Sequence, residues 1–175
     1  MKILGSLLMV LLWTGAAFAF SQDQRIKGDT LKAHQYIEDA KNNFGTPRVA
    51  DSLGQLAFKL AGNYFPMKGE SAHVILYANL NTNFEKAQQW ADTAIYYFQK
   101  SKNDLWCGYA LRTVGYRAQQ INRNDLAIRT MQQSLVYFEK AHDTVMEAQN
   151  HVSLSLLYHN NLQDYKNGLE HGKES

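Results

Sequence analysis

Tyr97-Phe98-Gln99-Lys100 returns as Tyr137-Phe138-Glu139-Lys140, a step of 40 positions. The same step carries Ala87 to Ala127, Val74 to Val114 and Leu154, Ile75 to Gly115 and Ser155, and Ala78 to Ala118 and Tyr158. One such match arises by chance; a register held through two helix-length stretches does not. A fixed period in this range marks units that cannot bury their apolar faces alone and must stack on their neighbours. The expected core is therefore a series of interfaces between similar units.

Inside one unit, Leu111 to Ser134 alternates large and small residues. It reads Leu111-x2-Val114-Gly115-x2-Ala118, a turn, then Ala127-x3-Met131-x2-Ser134. Gly115 and Ala127 are small where two antiparallel helices must approach, and Leu111, Val114 and Met131 fill the space around them. This code resembles the tetratricopeptide repeat (TPR), W-x2-L-G-x2-Y followed by A-x3-F and P. The Trp, Tyr, Phe and final Pro of that signature are replaced here. The step of 40 also exceeds the usual period of about 34, so the additional residues are expected in the second helix and its connection. The resemblance runs over residues 68–175 and more loosely over 29–67. It implies an all-α, right-handed solenoid of antiparallel helix hairpins, with about four repeats and the last one truncated.

In chain order, Met1 to Ala19 reads as a secretory signal peptide. It has Lys2, an uncharged apolar stretch from Ile3 to Phe18, and the A-x-A site Ala17-Phe18-Ala19. An uncleaved N-terminal anchor is the alternative, because the apolar run sits at the lower end of the roughly 17–25 residues of a bilayer span. Residues 20–28 form a polar lead-in, and 29–175 the repeat domain. Asp29 to Asn43 is a first helix using Leu31, Tyr36, Ile37 and Ala40. Thr46 is expected to cap the next helix, with Pro47 at its first position. Val49, Leu53, Leu56, Ala57 and Leu60 stripe that helix to about Tyr64, and Pro66 and Gly69 end it. Ala50-x3-Gly54-x2-Ala57 echoes the second-helix code at a step of 37 to Ala87. The second copy spans Lys68 to Gln99, and the third about Asp104 to Lys140. The fourth starts at Thr144 with the capping box Thr144-x2-Glu147 and stops at Ser175 within its second helix. The turn between its helices is placed at His159 to Asp164.

Composition narrows the function classes. The formal net charge is +2 and no Lys/Arg cluster forms a stripe, so nucleic acid is not an expected partner. The single Cys107 has no internal disulfide partner and reads as a small core residue. The six histidines form no H-E-x-x-H and no Cys/His pair at zinc spacing. His151 and His159, about 12 Å apart along a helix, are too distant for one metal. Phosphate-binding glycine loops and the G-x-S-x-G elbow are missing. No catalytic, cofactor or metal residues are assigned, and the chain is not expected to be an enzyme.

In TPR-like folds the first helix of each hairpin lines a groove for a protein or peptide. The resemblance, placed with the leader, is similar to periplasmic TPR segments of bacterial signalling proteins. It implies an exported, periplasmic or secreted interaction module, sensory or scaffolding, without stable membrane insertion after cleavage. A free-standing assembly scaffold and a secreted enzyme on a helical framework are the alternatives. With Leu111, Val114 and Ala118 inward, the groove face carries Tyr109, Arg112, Tyr116, Gln119 and Gln120. Steps of 40 add Ala72, Leu76 and Asn79 before it, and Val152, Leu156 and His159 after it.

Overall fold

The computed structural model describes residues 28–159 and 165–174, with the side chains of 165–169 outside the description. Residues 1–27, with the expected leader and cleavage site, and residues 160–164, most of the expected turn of the fourth copy, lie outside the described residues. The described chain is all-helical: eight helices and no strand. They are α1 (28–42), α2 (Pro47–Leu60), α3 (Phe65–Asn79), α4 (Phe84–Lys100), α5 (Asp104–Gln120), α6 (Asn124–Ala141), α7 (Thr144–Leu157) and α8 (Tyr165–Glu174). Each helix from α2 onward packs against the next, most extensively α3 on α4 and α5 on α6.

Two apolar clusters hold the stack. Ala33, Ile37 and Ala40 of α1 meet Ala50, Ala57 and Ala61 at α2 and Met67, Val74 and Ala78 of α3. A second cluster continues from Ala72 and Leu76 of α3 through α4, α5 and α6 to Leu154 and Leu157 of α7. Small residues set the spacing. A Cβ on Gly54 would come within 2.6 Å of Ile75, one on Gly69 within 2.5 Å of the Phe98 ring, and one on Gly108 within 2.6 Å of the Phe138 ring. At Gly115 it would meet Met131 at 2.8 Å and Thr130 at 2.9 Å, so Gly115 is the close-approach residue that the code required. Ala127 is fully buried beside it.

Several local expectations are corrected. Thr46 holds the N-cap position of α2 and Pro47 opens the helix, but the Thr46 side chain makes no capping bond; its hydroxyl donates back to the Asn43 carbonyl at 3.2 Å. The buried stripe of α2 is Ala50, Gly54 and Ala57, whereas Val49 and Leu56 are exposed. Leu31 is likewise exposed, and Ala33 takes the core position in α1. Pro66 and Gly69 lie inside α3 and do not terminate α2, which ends at Leu60 before Gly62 in a left-handed conformation (φ 53°). The cap of α7 is Asp143, whose carboxylate accepts the Met146 N–H at 3.0 Å; Thr144 is the first helical residue. Of the aromatic run in α4, Phe98 is buried and Tyr96 exposed. Tyr97 packs backward on Phe58 and Phe65.

The most consequential correction is to the register of α3. Gly69 lies under Phe98 as Gly108 lies under Phe138, and the two glycines are 39 positions apart. Second helices do keep the step of 40: Ala87, Ala91, Ala94 and Phe98 are buried, as are Ala127, Met131, Ser134 and Phe138. The additional residue is taken up toward the end of the first helix: α5 runs 17 residues against 15 in α3, and its connection (121–123) is one residue shorter than the one after α3 (80–83). A slip of one residue rotates a helical side chain by about 100°. Tyr77, not Leu76, is thus the counterpart of Tyr116.

Candidate peptide-binding groove

Of the cavities that open between odd-numbered helices, the first helix of each hairpin, two are lined by α5. The first, about 320 Å³, is lined by Lys41 and Phe44 from the α1 end, His73, Val74 and Tyr77 of α3, and Trp106 and Tyr109 of α5. Its aromatic walls are mutually braced. Phe44 stacks on Tyr77 with centroids 5.4 Å apart. His73 meets Tyr77 edge-on at 5.2 Å and Trp106 at 5.1 Å, and Trp106 lies 5.4 Å from Tyr109. Rings locked by neighbouring rings present apolar area with little rotamer freedom left to lose. At one wall, the Lys41 ammonium is held between Glu38 (2.8 Å) and Glu70 (2.9 Å).

Burial pushes the His73 imidazole down to about 4, and the nearby Lys41 charge acts in the same direction. The ring is therefore neutral at physiological pH. Its Nε2 is buried with no partner among the described residues. An unpaired buried nitrogen is a cost to the fold.

The second cavity, about 330 Å³, lies one helical turn along α5. Arg112, Tyr116 and Gln119 line one side, and Gln149, Val152, Ser153 and Leu156 of α7 the other. Arg112 Nη2 donates to the Tyr116 hydroxyl at 2.9 Å and to Gln149 Oε1 at 3.2 Å. The Tyr116 hydroxyl is 2.7 Å from Ser153 Oγ. The guanidinium carbon sits 4.9 Å from the Tyr116 ring centroid, a cation–π distance. Among the described residues no carboxylate lies within ion-pair distance of Arg112. Val152 and Leu156 are about half exposed and supply an apolar wall opposite the charge.

Of the residues assigned to this face from sequence, Arg112, Tyr116, Gln119 and Leu156 converge on the second cavity, and Tyr109 lines the first. Gln120 is exposed beside them, accepting from Arg117 Nη1 at 3.1 Å, and His159 is exposed outside both cavities. Leu76 and Asn79 are misassigned. Leu76 is fully buried in the core, as is Ala72. Asn79 is buried too, donating to the Ile75 carbonyl (2.8 Å) and to Asp51 (2.6 Å). Both follow from the step of 39, which puts His73 and Tyr77 on the groove side instead. Leu111, expected inward, is half-buried on the opposite side of α5, in a cavity with Ile95 of α4 and Val136 of α6. Phe44, His73 and Trp106 were not assigned to the groove; a period of 39 in α3 and the aromatic cluster around it were the available signals.

No family model matches the chain, and no curated protein matches it. The surface itself must carry the functional reading. The Cys107 thiol is pushed up to about 12, by burial first and the Asp104 charge second, so it stays protonated. Among the described residues no helix is long and apolar enough to cross a membrane.

Proposed function

We propose that this chain is an exported TPR-like interaction module that binds a protein or peptide segment along its odd-numbered helices. In this reading the hairpins form a right-handed solenoid of about four repeats. The observation that carries it is the pairing of a braced aromatic cavity with Arg112, a cation held, among the described residues, only by neutral acceptors one turn further along α5. Aromatic side chains and Arg are the types that most often anchor protein interfaces. The first cavity suits an apolar side chain of the bound segment. The second suits a polar or acidic group, which would give the Arg112 guanidinium a counter-charge that no described residue supplies. The module then serves as the sensory or scaffolding part of a bacterial signalling system outside the cytoplasm. Its resemblance to periplasmic TPR segments and the leader-like residues 1–19 support that placement.

Pull-downs from a periplasmic extract test the binding face. They compare wild type with Arg112→Ala/Tyr116→Ala and with Arg129→Ala on the exposed side of α6. Partners should be lost from the groove variant and kept by the control, with circular dichroism confirming that both fold. The opposite pattern would place binding on the other face. N-terminal sequencing of the cell-made protein tests export: Phe20 as first residue is expected, and an intact Met1 on membrane-bound protein contradicts it.

A further inference from the structure

We propose that His151, His171 and Glu174 form a binding site for a zinc-class divalent metal, and that the metal clasps α8 onto α7. His151 Nδ1 lies 3.0 Å from His171 Nδ1 and 3.0 Å from Glu174 Oε2, and the last two atoms are 3.9 Å apart. All three donor atoms fall within 4.8 Å of one another. His151 comes from α7, whereas His171 and Glu174 share one face of α8 at i, i+3 spacing.

Proton bookkeeping points to a cation. A neutral imidazole carries one N–H, and a single Nδ1–H on His151 can be aimed at His171 or at Glu174 but not at both. A metal between them would satisfy three lone pairs at once. Zinc bonds of about 2.0–2.2 Å in a tetrahedron put ligand atoms roughly 3.3–3.5 Å apart. The observed separations of 3.0, 3.0 and 3.9 Å bracket that spacing. Two imidazoles with one carboxylate select zinc and its transition-metal neighbours over magnesium or calcium, which prefer all-oxygen shells. Glu174 is half exposed, leaving the remaining coordination position on the solvent side.

The ligands are also held in place. The His171 ring stacks on Tyr158, centroids 5.7 Å apart and planes 3° from parallel. Tyr158 is itself buried and its hydroxyl accepts from Gln132 at 3.3 Å. Gly172 allows the close approach, since a Cβ there would already sit 3.3 Å from Ser155 Oγ. Because the ligand set exists only with α8 docked, metal binding stabilises that docking by linkage.

The test is titration of tag-free protein with zinc ion, followed calorimetrically, with cobalt absorbance reporting the coordination geometry. One equivalent should bind, and amide exchange across 170–174 should slow on saturation. Glu174→Gln and His171→Asn should each weaken binding at least about tenfold. His142→Ala, on an exposed residue outside the set, should leave it unchanged. Absence of a one-equivalent site, or unchanged affinity in both ligand variants, would overturn the site. Unchanged exchange in α8 at saturation would overturn the clasp.

Discussion

Gly69 and Gly108 each lie beneath a phenylalanine ring, and at this scale the packing makes its sharpest demand. A methyl group at Gly69 would come within 2.5 Å of Phe98, and one at Gly108 within 2.6 Å of Phe138. Alanine in a helix interior normally gains about 1 kcal/mol over glycine. Here the clash should reverse that sign, since overpacking a close crossing costs about 1–3 kcal/mol. Gly69→Ala and Gly108→Ala should therefore lower stability in urea unfolding, whereas Gly45→Ala, which meets open space, should not. Equal effects at all three sites would contradict the assigned packing. His73 makes a second demand. Its folded pKa of about 4 lies below the unfolded value of 6.5, so between these values the unfolded chain takes up a proton that the native ring refuses. Stability present above pH 6.5 is then lost as pH falls toward 4. The loss is on the order of 2–3 kcal/mol between pH 7.5 and 4.5. His73→Phe keeps an aromatic ring in the cavity wall and removes the titration, so its unfolding free energy should be flatter across that range. Parallel pH profiles for variant and wild type would show that His73 is not held neutral.

For whole helices, caps and phase decide the boundaries. Asp143 caps α7, so Asp143→Ala should cost about 1 kcal/mol. Thr144→Ala, one residue on and exposed, should stay within about 0.5 kcal/mol. If thermal unfolding shows the larger loss for Thr144→Ala, the helix begins one residue later than described. The sequence pattern exposed the second helices well, because Ala87, Ala91, Ala94 and their counterparts at 127, 131 and 134 keep one phase and are all buried. It exposed α5 and α7 equally well: Arg112 and Tyr116 have Val152 and Leu156 as counterparts, and all four line one cavity. It failed at α3, where a single period of 40 hid a one-residue adjustment toward the end of α5. Helical phase magnifies such an adjustment, which is how Ala72 and Leu76 displaced His73 and Tyr77. Large apolar residues misled part of the reading of α1 and α2: Leu31 and Val49 are exposed and Ala33 takes the core position, whereas the code Ala50-x3-Gly54-x2-Ala57 is buried as read. The His151–His171 contact was illegible for a different reason. It joins residues 20 positions apart on separate helices, and only the crossing angle brings them together.

Across the whole molecule, polar ties run between neighbouring hairpins beside the groove. Tyr77 reaches Thr113 at 3.5 Å, Arg117 donates to the Leu80 carbonyl at 3.1 Å, and Arg112 and Tyr116 reach Gln149 and Ser153. Even-numbered helices are tied as well, by Lys86 to Asp51 at 2.8 Å and by Gln99 to Tyr137 at 2.7 Å. Each tie links a unit to its neighbour, as expected of a stack whose stability is a sum of local interfaces. The central claim is that the line of odd-numbered helices, and not the even-numbered face, receives a partner. A photo-crosslinking residue placed singly at Tyr77, Tyr116, Tyr96 or Val136, all exposed, tests it in the cells that make the protein. The account predicts one adduct of the same mass from positions 77 and 116 and none from 96 or 136. Adducts from 96 and 136 alone would contradict it.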